Sequence, residues 1–352
     1  MRHNNSRYAF LVSSPLDLRR GYGTAAAVLG LLGALHRKGK RVGLLEPSPL
    51  PGSDLFRSWW FNRHVSTELA RLDVDCVVGV DFDGYRYARR ATRKPFVSLL
   101  HGVKADELLW ETGSSKSRLA RQARWERVAA RHADLVVAPS AYACRRACET
   151  YGLSPDRTRV VPNGLDLDHW PAMPQPAGAP TVTAAARLVR RKGLDVLIRA
   201  WPEVRRVVAD ARLQIVGDGP ERDALTALAA DLGQSASVHF HGVMSQSDFR
   251  RCLTDTHVFC FPSRQEAFGL AMLEAMASER AVVASSEAAL PEVAGDAALF
   301  SDPSPESIAD GLVRLLTDTA LRLSMAQRAR RRAESFTWDH AAALFGEALS
   351  DA

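Results

Sequence analysis

Cationic side chains crowd the segment Arg187-Leu-Val-Arg-Arg-Lys192-Gly193, which lies between an apolar run and an amphipathic stretch. A loop that leads from a strand into a helix places such cations beside the free N–H groups of the first helical turn. The planar fork of Arg187 could grip two phosphate oxygens, and Lys192 would act as a movable point charge. The segment therefore indicates a diphosphate site, with a solvated basic loop as the alternative.

Two glutamates begin and end the segment Glu266-Ala-Phe-Gly-Leu-Ala-Met-Leu-Glu274. We expect Glu266 on a loop after a strand and Glu274 about two turns into the next helix. Because that helix is otherwise nearly all apolar, Glu274 should point into a cleft, where a carboxylate can accept hydrogen bonds from a sugar diol. The first helical turn could also hold phosphate through the N–H groups of Phe268, Gly269 and Leu270. Two surface glutamates are the alternative.

Three further segments carry weaker signals. Gly23 belongs to Gly21-Tyr22-Gly23-Thr24, which resembles half of a dinucleotide fingerprint and suits either close approach of an anion or a flexible turn. His101 follows an apolar run and would face a ligand cleft if that run is a strand of a doubly wound sheet, although chance could also place it there. Asn163 lies in Pro-Asn-Gly, a turn signal whose hinge-side role stays open.

Two pairs have the spacing of metal ligands. Asp81 and Asp83 flank one phenylalanine, and His239 and His241 flank another. For the aspartates we favour a loop cap or an acceptor contact, because cations elsewhere already supply the charge that a diphosphate needs. The histidines have no third ligand nearby in sequence. The sequence therefore predicts no metal site.

These segments need a scaffold, and the hydrophobic pattern indicates one. Apolar runs alternate with amphipathic stretches in both halves of the chain, which favours an α/β fold of two doubly wound, Rossmann-like domains facing across a cleft. Residues 170–180 contain four prolines and no charge, so we place the domain boundary there. The predicted organisation is an N-terminal domain over residues 1–170, a linker over 171–180, and a second domain over 181–335.

Composition excludes several classes of protein. Hydrophobic residues make up 46% of the 352 residues and charged residues 24%, as in ordinary soluble domains. No apolar run approaches the ~20 residues of a membrane span, and the run over residues 8–12 is too short for a signal peptide. The five scattered cysteines indicate a reducing compartment. We therefore expect a cytoplasmic protein, with membrane association left open.

Charge is unevenly distributed along the chain. The net charge is +10 over residues 1–170 and −4 over residues 171–352, which together give +6. A basic helix over residues 116–131 steps its cations by about three positions, so they follow one face and could contact an anionic membrane surface. The alternative to an enzyme is therefore a basic module that binds a membrane surface or nucleic acid. This alternative does not explain the acidic segment, and we expect the protein not to bind nucleic acid.

Taken in order, these segments resemble glycosyltransferase family 4. The resemblance rests on Arg-x4-Lys-Gly, a Gly-Asp-Gly-Pro turn at Gly217, and Glu-x-Phe-Gly with a second glutamate eight positions from the first. It implies a GT-B fold and a retaining enzyme that moves a hexose from a nucleotide-diphosphate sugar to a hydroxyl acceptor. It also implies that the first domain is the acceptor side, that the second binds the nucleotide sugar, and that a final helix within residues 336–352 returns to the N-terminal domain. The family's first loop commonly reads Gly-Gly, whereas Gly21-Tyr22-Gly23 stands here.

The resemblance also implies a role for each candidate residue. His101 and Glu266 would act at the transferred sugar, Glu274 would bind the ribose, and Asn163 would lie at the interdomain floor. The base would be read by backbone groups near Gly217 and Val243. The donor diphosphate would be held by Gly23, Arg187, Lys192, Phe268, Gly269 and Leu270.

No cofactor or metal is implied by the resemblance. The donor would be a UDP- or GDP-sugar, and the acceptor a small molecule, a saccharide or a lipid-linked hydroxyl compound. Two related activities stay open as alternatives. A nucleotide-sugar epimerase would need no acceptor, and a sugar phosphorylase would need a longer chain and a cofactor lysine, for which we find no candidate.

Overall fold

The computed structural model describes residues 7–14, 16, 22–47 and 52–350. The chain divides into two compact units, of which one contains the residues up to Gly164 together with those from Trp338 onward, and the other is Leu165–Thr337. Each unit is built on one parallel sheet with helices between most successive strands, although in the first unit the strand Phe96–Leu99 follows the strand Cys76–Val80 without a helix between them. The predicted α/β class with two doubly wound sheets is confirmed.

The first unit is built on a parallel sheet with, among the described residues, six strands. They are β1 (Arg7–Leu11), β2 (Arg41–Leu45), β3 (Cys76–Val80), β4 (Phe96–Leu99), β5 (Leu135–Ala138) and β6 (Thr158–Val160). Their spatial order is β2-β1-β3-β4-β5-β6, so the order reverses between β1 and β3. β3, β4 and β5 are buried along their whole length, as expected where helices cover both faces of a parallel sheet.

Helices connect these strands. They are α1 (Tyr22–Arg37), α2 (Asp54–Leu69), the single turn α3 (Lys104–Glu107), α4 (Gly113–His132) and α5 (Ala141–Tyr151). α5 shows why such a segment forms where it does. The Ser140 hydroxyl accepts the Ala143 N–H at 3.0 Å, and Gly152 ends the helix in the left-handed conformation.

The second unit repeats the plan. Its strands are β7 (Thr181–Ala185), β8 (Arg212–Val216), β9 (Val238–Gly242), β10 (Val258–Phe261), β11 (Ala281–Ser285) and β12 (Leu299–Ser301). Its helices are α6 (Leu194–Val207), α7 (Arg222–Asp231), α8 (Gln246–Thr254), α9 (Leu270–Ala277), α10 (Leu290–Ala294), α11 (Pro305–Thr317) and α12 (Thr319–Ala333). The strand order is β12-β11-β10-β7-β8-β9, which reverses between β7 and β10.

The last helix, α13 (Trp338–Ser350), belongs to the first unit. The ring of Phe345 lies 6.2 Å from those of Tyr8 and Phe10 on β1, and Arg37 of α1 pairs with Asp339 at 2.8 Å. The chain therefore enters the second unit once and leaves it once, and the last helix completes the core of the first.

The boundary predicted after residue 170 is wrong by six residues. The first unit ends at Gly164, because Leu165 and Trp170 are buried in the core of the second. The proline-rich segment is held by that unit as well, since Arg280 donates a hydrogen bond to the carbonyl of Pro174 at 2.7 Å. Prolines here prevent helix and strand without making a free linker. Across the described residues, no helix has the length and apolar character needed to cross a membrane.

Candidate functional site

Two loops of the second unit leave the sheet from neighbouring strands that are not consecutive in the chain. One follows β7 and the other follows β10, and the remaining strands extend to opposite sides of this pair. In open parallel sheets, ligands bind beyond the carboxyl ends of the strands at such a reversal of strand order. The cationic segment and the acidic segment of the sequence therefore meet at one place.

Gly193 allows the two loops to touch. Its φ is +66°, and a Cβ at this position would lie 2.0 Å from the carbonyl oxygen of Pro262 in the second loop. Only glycine combines this backbone conformation with so close an approach. α6 begins at the next residue, Leu194, so the contact fixes the start of the helix against the end of β10.

Lys192 forms an ion pair with Glu266. The ammonium nitrogen contacts Glu266 Oε2, and the two side chains are only 10% and 13% exposed. The ammonium also lies 5.7 Å from the centre of the Phe261 ring. The sequence presented Lys192 as a movable point charge, whereas in the structure it is buried against a carboxylate that follows the neighbouring strand. The pair presents together a group suited to phosphate and a group suited to sugar hydroxyls.

A second set of contacts fastens the same two loops, and sequence reasoning missed it. Arg264 donates two hydrogen bonds to the carboxylate of Asp195, at 2.8 and 2.7 Å. The carbonyl of Arg191 accepts the N–H of Arg264 at 2.8 Å. Asp195 lies in the first turn of α6, where an acidic residue is favoured, but nothing in the sequence indicated its partner. These bonds hold Lys192 and Glu266 in register.

Arg187 differs from Lys192, although both were assigned to the diphosphate. Arg187 is exposed, and its guanidinium has no hydrogen-bond or ion-pair partner within the part of the chain that the structure describes. It follows β7 directly, at the same carboxyl edge of the sheet. The guanidinium is therefore available to a ligand without breaking an internal contact.

The segment after Glu266 forms the start of α9. Gly269 caps this helix with φ at +97°, and the helix begins at Leu270. The N–H groups of Phe268, Gly269 and Leu270 have no backbone acceptor among the described residues, as is usual for a first helical turn. The Phe268 side chain packs instead into the core, 5.7 Å from the ring of Phe336. Backbone donors thus lie beside the Lys192–Glu266 pair.

Glu274 lies in the second turn of α9, as the spacing predicted. Its residue is 1% exposed, and its neighbours Leu273, Ala275 and Met276 belong to the apolar core. Burying a carboxylate among apolar residues is costly unless it is paired. The structure brings Glu274 onto the same helix that begins beside Glu266.

The predicted base-proximal residues lie where β8 and β9 end. The N–H of Gly217 donates to the carbonyl of Gly242 at 2.7 Å, which joins the two strand ends, and Val243 follows with its side chain 60% exposed. Leu188, next to Arg187, donates its N–H to the carbonyl of Asp218 at 2.9 Å. The loop after β8 is therefore tied to the cationic loop.

His101 belongs to the first unit, just beyond the end of β4. Its N–H donates to Asp81 Oδ1 at 2.9 Å, and its ring Nδ1 lies 3.6 Å from the same oxygen. Asp81 Oδ2 lies 3.6 Å from the ammonium of Lys104. Burial alone would raise the pKa of Asp81, but the charge of Lys104 and the hydrogen bonds from His101 hold that pKa below its ordinary value. The imidazole therefore stands against a fixed negative charge.

Asp83 anchors loops. Its carboxylate accepts the N–H of Ser13 at 2.6 Å and the side-chain amide of Asn62 at 2.8 Å. Burial raises the pKa of Asp83 to about 7, although these two hydrogen bonds oppose the shift. Asp83 therefore ties the end of β1 and helix α2 to the end of β3, which is the loop-cap role favoured for it.

The remaining predicted site residues lie in several different parts of the fold. Gly21 lies outside the described residues, and Gly23 lies in the first turn of α1 rather than on a loop, because α1 begins at Tyr22. Asn163 is half-buried just before the first unit ends. His239 and His241 are exposed on β9, an edge strand. In the described ranges, no group of three potential metal ligands comes together.

Two family models match this chain. The model for glycosyltransferase family 4 matches residues 22–169, and the model for group 1 glycosyl transferases matches residues 171–332. A relative from Mycolicibacterium smegmatis, described as a GDP-mannose-dependent α-(1-6)-phosphatidylinositol monomannoside mannosyltransferase, is 31% identical over 284 residues. That alignment covers 75% of this chain and 72% of the relative. The chain belongs to glycosyltransferase family 4.

Another relative and two solved structures are also similar to this chain. A D-inositol 3-phosphate glycosyltransferase of Corynebacterium aurimucosum is 31% identical over 63% of this chain, and the match spans 58% of its own length. Sucrose-phosphate synthase from Thermosynechococcus elongatus has a TM-score of 0.83 at 18% identity, with 98% of both chains covered. Anabaena HepE, solved with UDP and glucose, has a TM-score of 0.76 at 20% identity, over 97% of this chain and 99% of its own. These structures share the fold.

Proposed function

We propose that this family 4 enzyme transfers a hexose, with retention of configuration, from a nucleotide-diphosphate sugar to a hydroxyl acceptor. The observation that carries the proposal is the Lys192–Glu266 pair at the reversal of strand order, beside the free N–H groups that begin α9. One point of the fold thereby offers a cation, a carboxylate and backbone donors. These are the groups that a sugar diphosphate needs.

The chemistry follows from where charge develops. When the bond from the anomeric carbon to the diphosphate oxygen breaks, negative charge grows on the diphosphate and positive charge on the anomeric carbon. Lys192, Arg187 and the N–H groups of α9 would stabilise the first, and Glu266 would orient the sugar through its hydroxyls. Because Lys192 is paired with Glu266, the donor must insert its diphosphate beside the ammonium and its sugar beside the carboxylate.

The proposal assigns the other residues as follows. Glu274 binds the ribose diol, the strand ends at Gly217 and Val243 lie near the base, and His101 acts at the transferred sugar with Asp81 as its fixed partner. The acceptor attacks on the face from which the diphosphate leaves, and the leaving phosphate takes the acceptor proton. No metal is required for diphosphate binding in this scheme, so we expect turnover to persist in excess chelator.

The names of the relatives support a choice of donor and acceptor to test. GDP-mannose and phosphatidylinositol mannoside are named for the mycolicibacterial relative, and D-inositol 3-phosphate is named for the corynebacterial one. We therefore propose GDP-mannose as the first donor to test, with UDP-sugars second, and an inositol-containing or lipid-linked alcohol as the acceptor. Nucleotide binding alone can test the choice of donor, because binding requires no acceptor.

Thermal unfolding with UDP, GDP, ADP and dTDP measures the choice directly. A nucleotide present at about 100 times its Kd should add ~2.7 kcal/mol of stability. Nucleotide release that requires an acceptor, together with NMR of the anomeric configuration, then separates a retaining transferase from an epimerase or a hydrolase. No stabilisation by any nucleoside diphosphate, or an inverted anomeric centre in the product, would refute the proposal.

Lys192→Ala is the sharpest variant for this site, and Arg190→Ala is its matched control on the same turn. Losing a hydrogen bond to a charged group costs about 1.5–3 kcal/mol, so nucleotide diphosphate affinity and turnover should fall roughly 10- to 100-fold. Arg190 is exposed and lies 3.9 Å from Glu221, so its loss should change both by less than about twofold. Equal effects of the two variants would contradict the assignment.

A lipid-linked acceptor would bring the protein to a membrane surface. On α4 the side chains of six basic residues are exposed and form no ion pair with any described residue. They are Lys116, Arg118, Arg121, Arg124, Arg127 and Arg131. We propose that this face, the α4 basic face, attracts the protein to anionic lipid while the enzyme remains peripheral.

A further inference from the structure

Helix α2 carries exposed aromatic side chains on the face that turns away from the core. Ser58, Phe61, Asn62, Val65 and Leu69 are buried on the opposite face. Phe56 is 45% exposed and Trp60 39% exposed, which is unusual for large apolar rings on a folded surface. Packing within the unit does not explain them.

These rings form one cluster with Trp59. The ring centres of Phe56 and Trp59 are 6.1 Å apart and stacked, and those of Phe56 and Trp60 are 6.3 Å apart. Two guanidinium groups lie over the Trp59 ring, that of Arg63 at 5.7 Å and that of Arg86 at 5.9 Å. We name Phe56, Trp59, Trp60, Arg63 and Arg86 the α2 aromatic surface. It combines apolar rings with cations that keep contact with water.

The α2 aromatic surface is linked to α4 by ring contacts. Arg86 lies 5.8 Å from the centre of the Tyr85 ring, and Tyr85 stacks on Trp125 of α4 at 5.2 Å with the planes 4° apart. Tyr85 is itself buried, so these contacts join the aromatic cluster to α4 through the interior of the first unit.

We propose that the α2 aromatic surface inserts into the headgroup layer of an anionic bilayer, with the α4 basic face supplying the long-range attraction. Tryptophan beside arginine suits this layer, because the ring enters the apolar boundary while the cation stays with phosphate. Two partly exposed rings are too small a patch for a stable protein interface, which buries about 800 Å² on each partner. A bilayer supplies continuous negative charge for six cations that have no acidic partner in the described chain.

The buried face of α2 connects this anchor to the carboxyl edge of the first unit's sheet. Asn62 donates to Asp83 at 2.8 Å and accepts the Gly84 N–H at 2.6 Å, so α2 is fixed to the loop after β3. That loop lies at the carboxyl edge of the sheet, where Asp81 contacts His101. Insertion would hold this edge near lipid headgroups. Only this purpose rests on the proposed transfer to a lipid-linked acceptor, since membrane insertion itself needs no turnover.

Co-sedimentation of the full chain with vesicles tests the anchor. We expect binding to phosphatidylglycerol–phosphatidylcholine vesicles, a loss of at least tenfold in Phe56→Ser/Trp60→Ser, and no change in Val207→Ser/Leu323→Ser. That control removes two exposed apolar side chains of the second unit. Nucleotide affinity should be equal in all three proteins, which shows that the variants fold and separates this test from the proposed activity.

Trp60→Phe refines the result, because it keeps an apolar ring and removes one fluorophore. Vesicle binding should persist, and the part of the fluorescence quenched by brominated lipid should fall. Undiminished vesicle binding by Phe56→Ser/Trp60→Ser would overturn the proposal. So would a concentration-dependent dimer of the wild-type chain that this double variant abolishes, because the surface would then be a protein interface.

Discussion

The loops that follow β7 and β10 in the second unit and the carboxyl edge of the first unit are built by different means. Lys192 and Glu266 meet because two short motifs follow neighbouring strands, and backbone contact at Gly193 sets their separation. His101 is positioned by Asp81, whose own backbone has φ at +52°, and by charges from α3. The first set of contacts can be predicted from local sequence motifs. The second is a network of buried charges that no sequence motif predicts.

Gly193→Ala should have the largest effect, because it breaks the contact between the loops that follow β7 and β10. The added Cβ would lie 2.0 Å from the Pro262 carbonyl oxygen at φ +66°, so we expect about 2–4 kcal/mol of destabilisation and loss of nucleotide binding. Gly233→Ala is the control, since its φ is +69° but nothing lies within 4 Å of its added Cβ. Denaturant unfolding should assign it about 1 kcal/mol. Equal losses would mean that conformation, and not loop contact, requires Gly193.

The two glutamates should divide donor binding between them. Glu274→Ala should weaken the free nucleotide and the sugar nucleotide alike, by roughly 10- to 100-fold, because both carry the ribose. Glu266→Ala should leave the free nucleotide nearly unchanged and depress turnover by a similar factor. Calorimetry of nucleotide binding and initial rates measure the two effects. Reversed results would exchange the two roles.

Asp81→Asn tests whether the edge of the first unit depends on charge. Asparagine tolerates positive φ and keeps an oxygen for the His101 N–H, so the fold should persist while the ionised partner is lost. We expect kcat to fall about tenfold, or ~1.4 kcal/mol, with KM for the donor unchanged and a shifted pH–rate profile. Asp83→Asn should change stability and leave the pH–rate profile unmoved. An unmoved profile in Asp81→Asn would assign that residue to structure alone.

Glu126→Gln should alter the pH dependence of stability. Burial raises the pKa of Glu126 to about 8, so the folded protein keeps its proton where the unfolded chain, with a pKa near 4.5, has lost it. Stability should therefore fall between about pH 5 and pH 8, with a slope of up to about 1.4 kcal/mol per pH unit from this group. The variant should flatten that slope, and the exposed Glu68→Gln should not. An identical slope in Glu126→Gln would show that Glu126 is ionised in the fold.

The sequence alone determined the fold class and placed the cationic segment and the acidic segment each after a strand and before a helix. These follow from alternating apolar runs and from residue types within about ten positions, which local sterics and helix periodicity make legible. Tertiary structure decided that Lys192 is buried against Glu266, that Arg264 holds Asp195, and that Leu165 and Trp170 join the second core. It also brought Phe56 and Trp59 together with the guanidinium of Arg86. Each of these contacts depends on which strands become neighbours, and strand order is a property of the whole sheet.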